Sequence, residues 1–346
     1  MALTPYPWLE EAARSLLTLK DRLPNAVLIY GARGIGTFEL AQSFAESLLC
    51  EAPKPDGSPC GKCAGCRLMK AGTHPDCRTV VSEFIAAEHG LPYTPPDNAS
   101  SGRTKLSREV RIHQFRALQD FLTVAPHRGG RRVVLVYPAD MVRAEAAASL
   151  LKSMEEPPEG LVYLLVADDI DAVLPTIRSR SRLFRVGLPA RETALAWLRT
   201  KKTVKNPEEA LAMAGGAPLI AYRDKSGQAL TAGAASTLQG LLLKGGALTS
   251  DAVVRGYSAD MTPPAVSLYL TRWCYDLLRV KAGLQPHFFI GLADEMARLT
   301  AAVPDKALFE LSAAAAEMRR AAEHPLSARQ VFEAILFRYA QTLALH

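Results

Sequence analysis

The stretch Ala26-Val-Leu-Ile-Tyr30-Gly31-Ala-Arg-Gly-Ile-Gly36-Thr37-Phe38 runs from an apolar segment into a glycine-rich turn. Ala26 to Tyr30 reads as a buried parallel strand that meets a tight turn at Gly31. Beyond the turn Phe38, Ala41, Phe44, Ala45 and Leu48 fall at helical spacing, so a helix is predicted over Thr37 to Cys50. Strand, glycine turn and helix is the setting of the G-x-x-x-x-G-K-[ST] phosphate loop, whose backbone N–H groups wrap a phosphate at the positive end of a helix. Gly31, Gly34 and Gly36 are present, but the two chemical residues are not. Thr37 stands where lysine would neutralise the β and γ phosphates, and Phe38 where a hydroxyl would hold Mg²⁺. A triphosphate bound here would keep its charge uncompensated and its metal unanchored, so hydrolysis is not expected. A glycine turn in some other α/β fold stays open as the alternative.

Outward from this loop the alternation continues. Strands are predicted at Thr79 to Val81, Arg132 to Tyr137 and Leu161 to Val166, with helices at Glu109 to Leu122 and Ala144 to Met154. Strands separated by helices argue for a doubly wound parallel sheet. The strand Arg132 to Tyr137 suits a metal-binding acidic pair at its end, yet Tyr137 and Pro138 occupy those places. Glu88 to Arg103, with five Pro and Gly residues and no periodicity, reads as a long exposed loop. After Pro189 strand signals stop, and Ala- and Leu-rich helical spacing takes over, broken at Gly215-Gly216, Gly245-Gly246, Pro263-Pro264 and Pro286.

Cys50, Cys60, Cys63 and Cys66 form C-x9-C-x2-C-x2-C. The two-residue spacings let a turn present sulfurs to one tetrahedral ion, and the Pro/Gly-rich segment Lys54 to Pro59 can fold back toward Cys50. Zn²⁺ fits best; four thiolates leave no open position for water, so the expected role is structural. An iron–sulfur cluster is the runner-up. Cys77 and Cys274 read as small buried hydrophobes, and His74, ahead of Pro75, as a turn residue rather than a fifth candidate ligand.

The whole chain has 346 residues, 49% hydrophobic and 22% charged, which excludes disordered and fibrous classes. No apolar run approaches the roughly 20 residues that span a bilayer, and Met1 to Trp8 does not resemble an export signal, so a cytoplasmic protein with reduced thiols is expected. A net charge of +6 is compatible with nucleic acid nearby but common without it. Arg178, Arg180 and Arg182 alternate before Leu183 to Val186, the usual pattern of a solvated strand face.

Together these segments resemble the delta-prime subunits of bacterial DNA polymerase III clamp loaders, relatives of AAA+ ATPases. The matching segments are Gly31 to Phe38, the four cysteines, Thr73-His-Pro-Asp76, Ala125-Pro-His-Arg-Gly129, Leu150 to Pro158 and Ser179-Arg180-Ser181. The resemblance implies an α/β AAA+-like domain with a parallel sheet and a zinc-binding insertion (1–165, cysteine module 50–66). A small helical lid domain carrying the Ser-Arg-Cys-like motif (166–222) and a C-terminal all-α collar domain (223–346) follow. It also implies a subunit that does not hydrolyse ATP, assembled with gamma/tau-type ATPase subunits and delta to load the sliding clamp onto primer-template DNA. Arg180 would reach in trans into a neighbour's ATP site; Ser181 replaces the motif's cysteine without touching that guanidinium. Active members carry an arginine in the lid after a glycine turn, and Leu219 takes that place here.

Two other readings stand beside this one. An active ATPase of the gamma/tau type is opposed by Thr37, Phe38, Tyr137 and Pro138. A zinc-containing nucleic-acid-binding protein is opposed by an aromatic content of 7% and by a cysteine segment without interleaved aromatic and basic residues.

Overall fold

The computed structural model describes residues 4–95, 106–128, 130–223, 230–321 and 327–344, in two compact units, Met1–Ala194 and Leu195–His346. The first unit is built on five parallel strands, β1 (Ala26–Tyr30), β2 (Cys77–Val81), β3 (Arg132–Tyr137), β4 (Leu161–Ala167) and β5 (Arg182–Arg185), in the order β2-β3-β4-β1-β5. This is a parallel-sheet α/β arrangement. Every residue of β3 and β4 is buried, as expected for strands covered on both faces. The covering helices are α1 (Glu10–Thr18), α2 (Thr37–Leu48), α3 (Ala64–Ala71), α4 (Glu83–His89), α5 (Ile112–Arg116), α6 (Gln119–Thr123), α7 (Ala144–Glu155) and α8 (Pro175–Arg178).

Four expectations are corrected. The single helix predicted over Glu109 to Leu122 is two short helices: Val110 instead bridges Val142, and Leu118 N–H bonds to Phe115 O three residues back, tightening the chain between α5 and α6. Phe115, Leu118, Phe121 and Leu122 all remain buried, because a one-turn tightening keeps the same face inward. The boundary expected at residue 165 falls inside β4, and β5, assigned from sequence to the lid, belongs to the sheet. Its register against β1, from Val27↔Arg182 to Tyr30↔Arg185, requires that placement. The arginine series is not one strand face: Pro175 starts α8, Ser179 N–H bonds to Pro175 O at 2.9 Å, and only Arg182 lies on β5. Of the expected loop Glu88 to Arg103, Glu88 and His89 close α4, capped by Gly90 at φ 65°, and residues 96–103 lie outside the described residues.

The second unit is helical, with α9 (Arg191–Arg199) leading into it, then α10 (Pro207–Met213), α11 (Pro218–Tyr222), α12 (Ala232–Leu242), α13 (Ser250–Gly256), α14 (Pro263–Lys281), α15 (Ala293–Thr300), α16 (Asp305–Ala321) and α17 (Ala328–Ala344). Trp273, fully buried on α14, donates its indole N–H to Tyr339 Oη at 3.2 Å, and Tyr339 donates to Leu242 O at 2.7 Å. Asp276, also fully buried, accepts N–H bonds from His287, Phe288 and Phe289 at 2.8 Å each, pinning that loop to α14. Among the described residues no helix is long and apolar enough to cross a membrane.

Candidate functional site

The glycine loop lies between the C-terminal end of β1 and the start of α2. Gly31 N–H bonds to Ala167 O, and a Cβ at Gly31 would lie 2.5 Å from Val186 O, so the backbone itself needs a glycine there. Gly36 caps α2 at φ 90°, a left-handed conformation that glycine adopts freely. Its open side is covered: a Cβ would lie 2.7 Å from the Tyr6 ring. Tyr6 stacks on Trp8 with centroids 5.0 Å apart, and the Trp8 indole donates to Ile35 O at 2.8 Å. Residues ahead of α1 therefore pack over the loop, a feature the sequence reading missed because nothing in their spacing pairs them with residues thirty positions on.

Thr37 is 3% exposed and Phe38 2% exposed. The Phe38 ring stacks on Tyr137 at 5.1 Å and meets His89 edge-on at 4.9 Å. The residue in the place of the metal-holding hydroxyl thus touches the residue in the place of an acidic one. The Tyr137 hydroxyl donates toward both oxygens of Asp168 at 3.1 Å, and Asp168 N–H bonds to Asp140 Oδ1 at 3.2 Å. Burial, then the charge of Asp140, pushes Asp168 up to about 7, and burial also raises Asp140. Arg33, on the loop, pairs with Glu88 at 3.1 Å rather than facing α2 alone. Phe38, Tyr137 and His89 thus form one aromatic cluster beside the glycine loop.

The four cysteines converge. All their sulfurs lie within 4.8 Å of one another, and Cys50–Cys63 and Cys60–Cys66 are 3.9 Å apart. A tetrahedral ion with metal–sulfur bonds of about 2.3 Å needs sulfurs about 3.8 Å apart, so the set fits one ion. Backbone N–H groups of Cys60, Cys63 and Cys66 donate to Cys50, Cys60 and Cys63 at 3.2–3.3 Å, which favours thiolate. Two such donors, from Lys62 and Cys63, bring the Cys60 thiol down to about 6, whereas burial pushes Cys66 up. Cys63 also caps α3. Among the described residues no other His, Cys, Asp or Glu group could surround a metal. Cys77 and Cys274 lie apart, their thiols pushed up to about 12 by burial.

Neighbouring side chains tie this module down. Lys20 Nζ donates to Ser47 O at 2.7 Å and Gly57 O at 3.1 Å. Arg128 Nε meets Glu51 at 2.5 Å. In the Thr73-His-Pro-Asp segment, His74 Nδ1 accepts from Asp76 N–H at 3.1 Å, a turn role, while Asp76, 1% exposed, accepts from His127 and Arg128 N–H at 2.7 and 3.0 Å. Asp76 joins the module's exit to the loop before β3; Gly129 of that loop lies outside the described residues.

Arg180 occupies the turn between α8 and β5, with its side chain 37% exposed. Its guanidinium forms an ion pair with Glu155 at the end of α7 and donates to Thr176 O at 3.2 Å. Ser181 Oγ donates to Ile177 O at 2.8 Å and so supports the turn. Leu219 is half-buried on α11, just after Gly215 and Gly216, both at positive φ.

Comparison with known proteins places these features in one lineage. The family model described as DNA polymerase III, delta subunit, matches residues 12–188, just over half of the chain, which include the loop, the cysteines and Arg180. A DNA polymerase III subunit delta' from Pseudomonas aeruginosa is 37% identical over 221 residues, 63% of this chain and 60% of that protein. The subunit delta' from Escherichia coli is 32% identical over 217 residues, 62% of this chain and 58% of that protein. The chain spans about 60% of the length of the curated relatives it matches. A solved gamma subunit-related protein of DNA polymerase III from Thermotoga maritima is 17% identical, covers 97% of this chain and 99% of its own, and has a TM-score of 0.43. The chain belongs to the delta-prime family of DNA polymerase III subunits.

Proposed function

We propose that this protein is the non-hydrolysing subunit of a clamp loader and lends Arg180 to the ATP site of an adjacent gamma/tau-type subunit. The observation that carries the reading is the contact of Phe38 with Tyr137. It fills the place of the metal with apolar surface, beside a loop without lysine, so this chain is expected to bind Mg-ATP weakly or not at all and to turn over none.

Arg180 suits the trans role on three counts. It is partly exposed, it is always charged, and its turn is braced by Ser181 and α8. Its partner Glu155 is itself half-exposed, and a surface pair of this kind contributes only about 0–1 kcal/mol, so a triphosphate can displace the carboxylate at little cost. A guanidinium delivered from a neighbour raises phosphoryl transfer by roughly 10³ to 10⁵ in other nucleotide hydrolases.

The helices up to Tyr222 would serve as the lid and α12–α17 as the oligomerising collar. Delta, the gamma/tau-type subunits, the sliding clamp and primer-template DNA are the partners of the assembly. Cys50, Cys60, Cys63 and Cys66 would hold one Zn²⁺, which stiffens an insertion too small to carry its own core. The test is reconstitution with candidate gamma/tau-type and delta subunits, with nucleotide titrated calorimetrically into this chain alone. Micromolar Mg-ATP binding to the lone chain would overturn the reading.

A further inference from the structure

The end of the sheet opposite the glycine loop carries a recess of about 310 Å³ between α6 and the first residues of β2 and β3. Arg132, the first residue of β3, is 3% exposed. Its Nη1 donates to Phe121 O at 2.6 Å, its Nε has no hydrogen-bond partner, and among the described residues no carboxylate lies within 4.0 Å of it. Removing a guanidinium from water costs several kcal/mol unless an opposite charge and hydrogen bonds compensate. One helix-end carbonyl compensates only in part. Arg78 shares the recess: its guanidinium lies 4.8 Å from the Phe121 ring, on which Arg132 also bears at 5.8 Å, and its Nη1 donates to Pro75 O and Cys77 O. His127 also lines the recess, with its Nδ1 3.4 Å from Asp76 Oδ1.

Two carboxylates lie near. Asp120 lines the recess from α6, and Asp76 is already held by the backbone N–H groups of His127 and Arg128 and faces the His127 ring. Two arginines against Asp120 leave the recess in want of negative charge. Its remaining wall is apolar, with Phe121 at the base and Val124 47% exposed at the mouth.

We propose that this recess is a docking site for an acidic peptide segment of a partner protein, taking one carboxylate toward Arg78 and Arg132 and an adjacent apolar side chain against Val124. The volume supports both parts, since a carboxylate alone would leave most of it unfilled. A peptide fits better than nucleic acid because a carboxylate on a flexible stem can enter a recess, whereas duplex phosphates are flanked by sugars on a convex ridge and cannot reach a guanidinium so deeply buried.

The full-length chain is titrated with the blocked peptide acetyl-Ala-Glu-Leu-Glu-Leu-amide while the Arg132 Nε–H resonance is followed by NMR. A saturable shift is expected, lost by about tenfold or more in affinity when both glutamates become glutamine, since hydrogen bonds to charged groups carry that much. Arg78→Gln should weaken binding by a similar factor. Val124→Asp, a surface change that leaves the fold intact, should abolish it by repulsion. Absence of a saturable shift at about 5 mM peptide overturns the proposal. So do equal affinity for the glutamine peptide, unchanged affinity in Val124→Asp, or tighter binding of inorganic phosphate or a DNA duplex at the same resonance.

Discussion

Phe38→Ala tests whether aromatic packing has taken over the place of nucleotide chemistry. The ring is 2% exposed, stacks on Tyr137 at 5.1 Å and meets His89 at 4.9 Å. Truncating a buried phenylalanine costs about 3–5 kcal/mol, of which aromatic pairing contributes about 0.5–1.5. Tyr137 lies in a fully buried strand and cannot collapse into the gap, so the middle of the range, about 4 kcal/mol, is expected. With a urea dependence of about 2 kcal/mol per molar, the midpoint of the first unit should fall by about 2 M. Trp8 is the only tryptophan of that unit, so its indole N–H signal reports unfolding there while Trp197 and Trp273 report on the second. Phe38→Leu should fall between, keeping apolar volume and losing the stack. A midpoint drop below about 0.5 M in Phe38→Ala, or the appearance of micromolar Mg-ATP binding in it, would refute the reasoning.

Arg180→Ala should lower DNA-stimulated ATP turnover of a reconstituted complex by tenfold or more, toward roughly 10³, while gel filtration shows assembly unchanged; normal turnover counts against the trans role. Glu155→Gln should leave that turnover within about fivefold of normal, because the pair it removes is exposed. Elemental analysis should find about one zinc per chain, and a strong chelator should lower the melting temperature of the first unit; iron with visible absorption would contradict this. Asp168, raised to about 7 by burial and Asp140, holds its proton longer folded than unfolded. Stability should therefore fall as pH rises from about 4 to 7, at up to about 1.4 kcal/mol per pH unit, and level off above that. Asp168→Asn, still an acceptor for Tyr137, should flatten that slope; an unchanged pH profile would count against a buried, protonated Asp168.

The strands were legible because parallel strands covered on both faces must be continuous apolar runs, as Val133 to Val136 and Leu161 to Val166 are. The cysteine module was legible from spacing, since a tetrahedral ion constrains its ligands locally. The break between α5 and α6 was hidden because Phe115, Leu118, Phe121 and Leu122 satisfy a helical face whether or not the chain tightens by one bond. Arg178, Arg180 and Arg182 looked like a strand because alternation is all that a sequence presents; Pro175 was the signal for a helical turn instead. Glu155 and Arg180 are 25 positions apart in elements with no shared periodicity, so only the fold brings them together. Thr37, Phe38 and Tyr137 were each legible as departures from a motif, but that two of them touch depends on the placement of β3, which their own residues do not encode.

That contact also bears on how such a protein could change over generations. Replacing Phe38 with a metal-holding serine opens a void under Tyr137, and replacing Tyr137 with aspartate sets a second buried acid beside Asp168, which already resists ionising. Each single step toward a metal-holding site therefore passes through a less stable protein. On the proposed function, the subunit is held in its role by its own interior, with no need for selection against the reverse path.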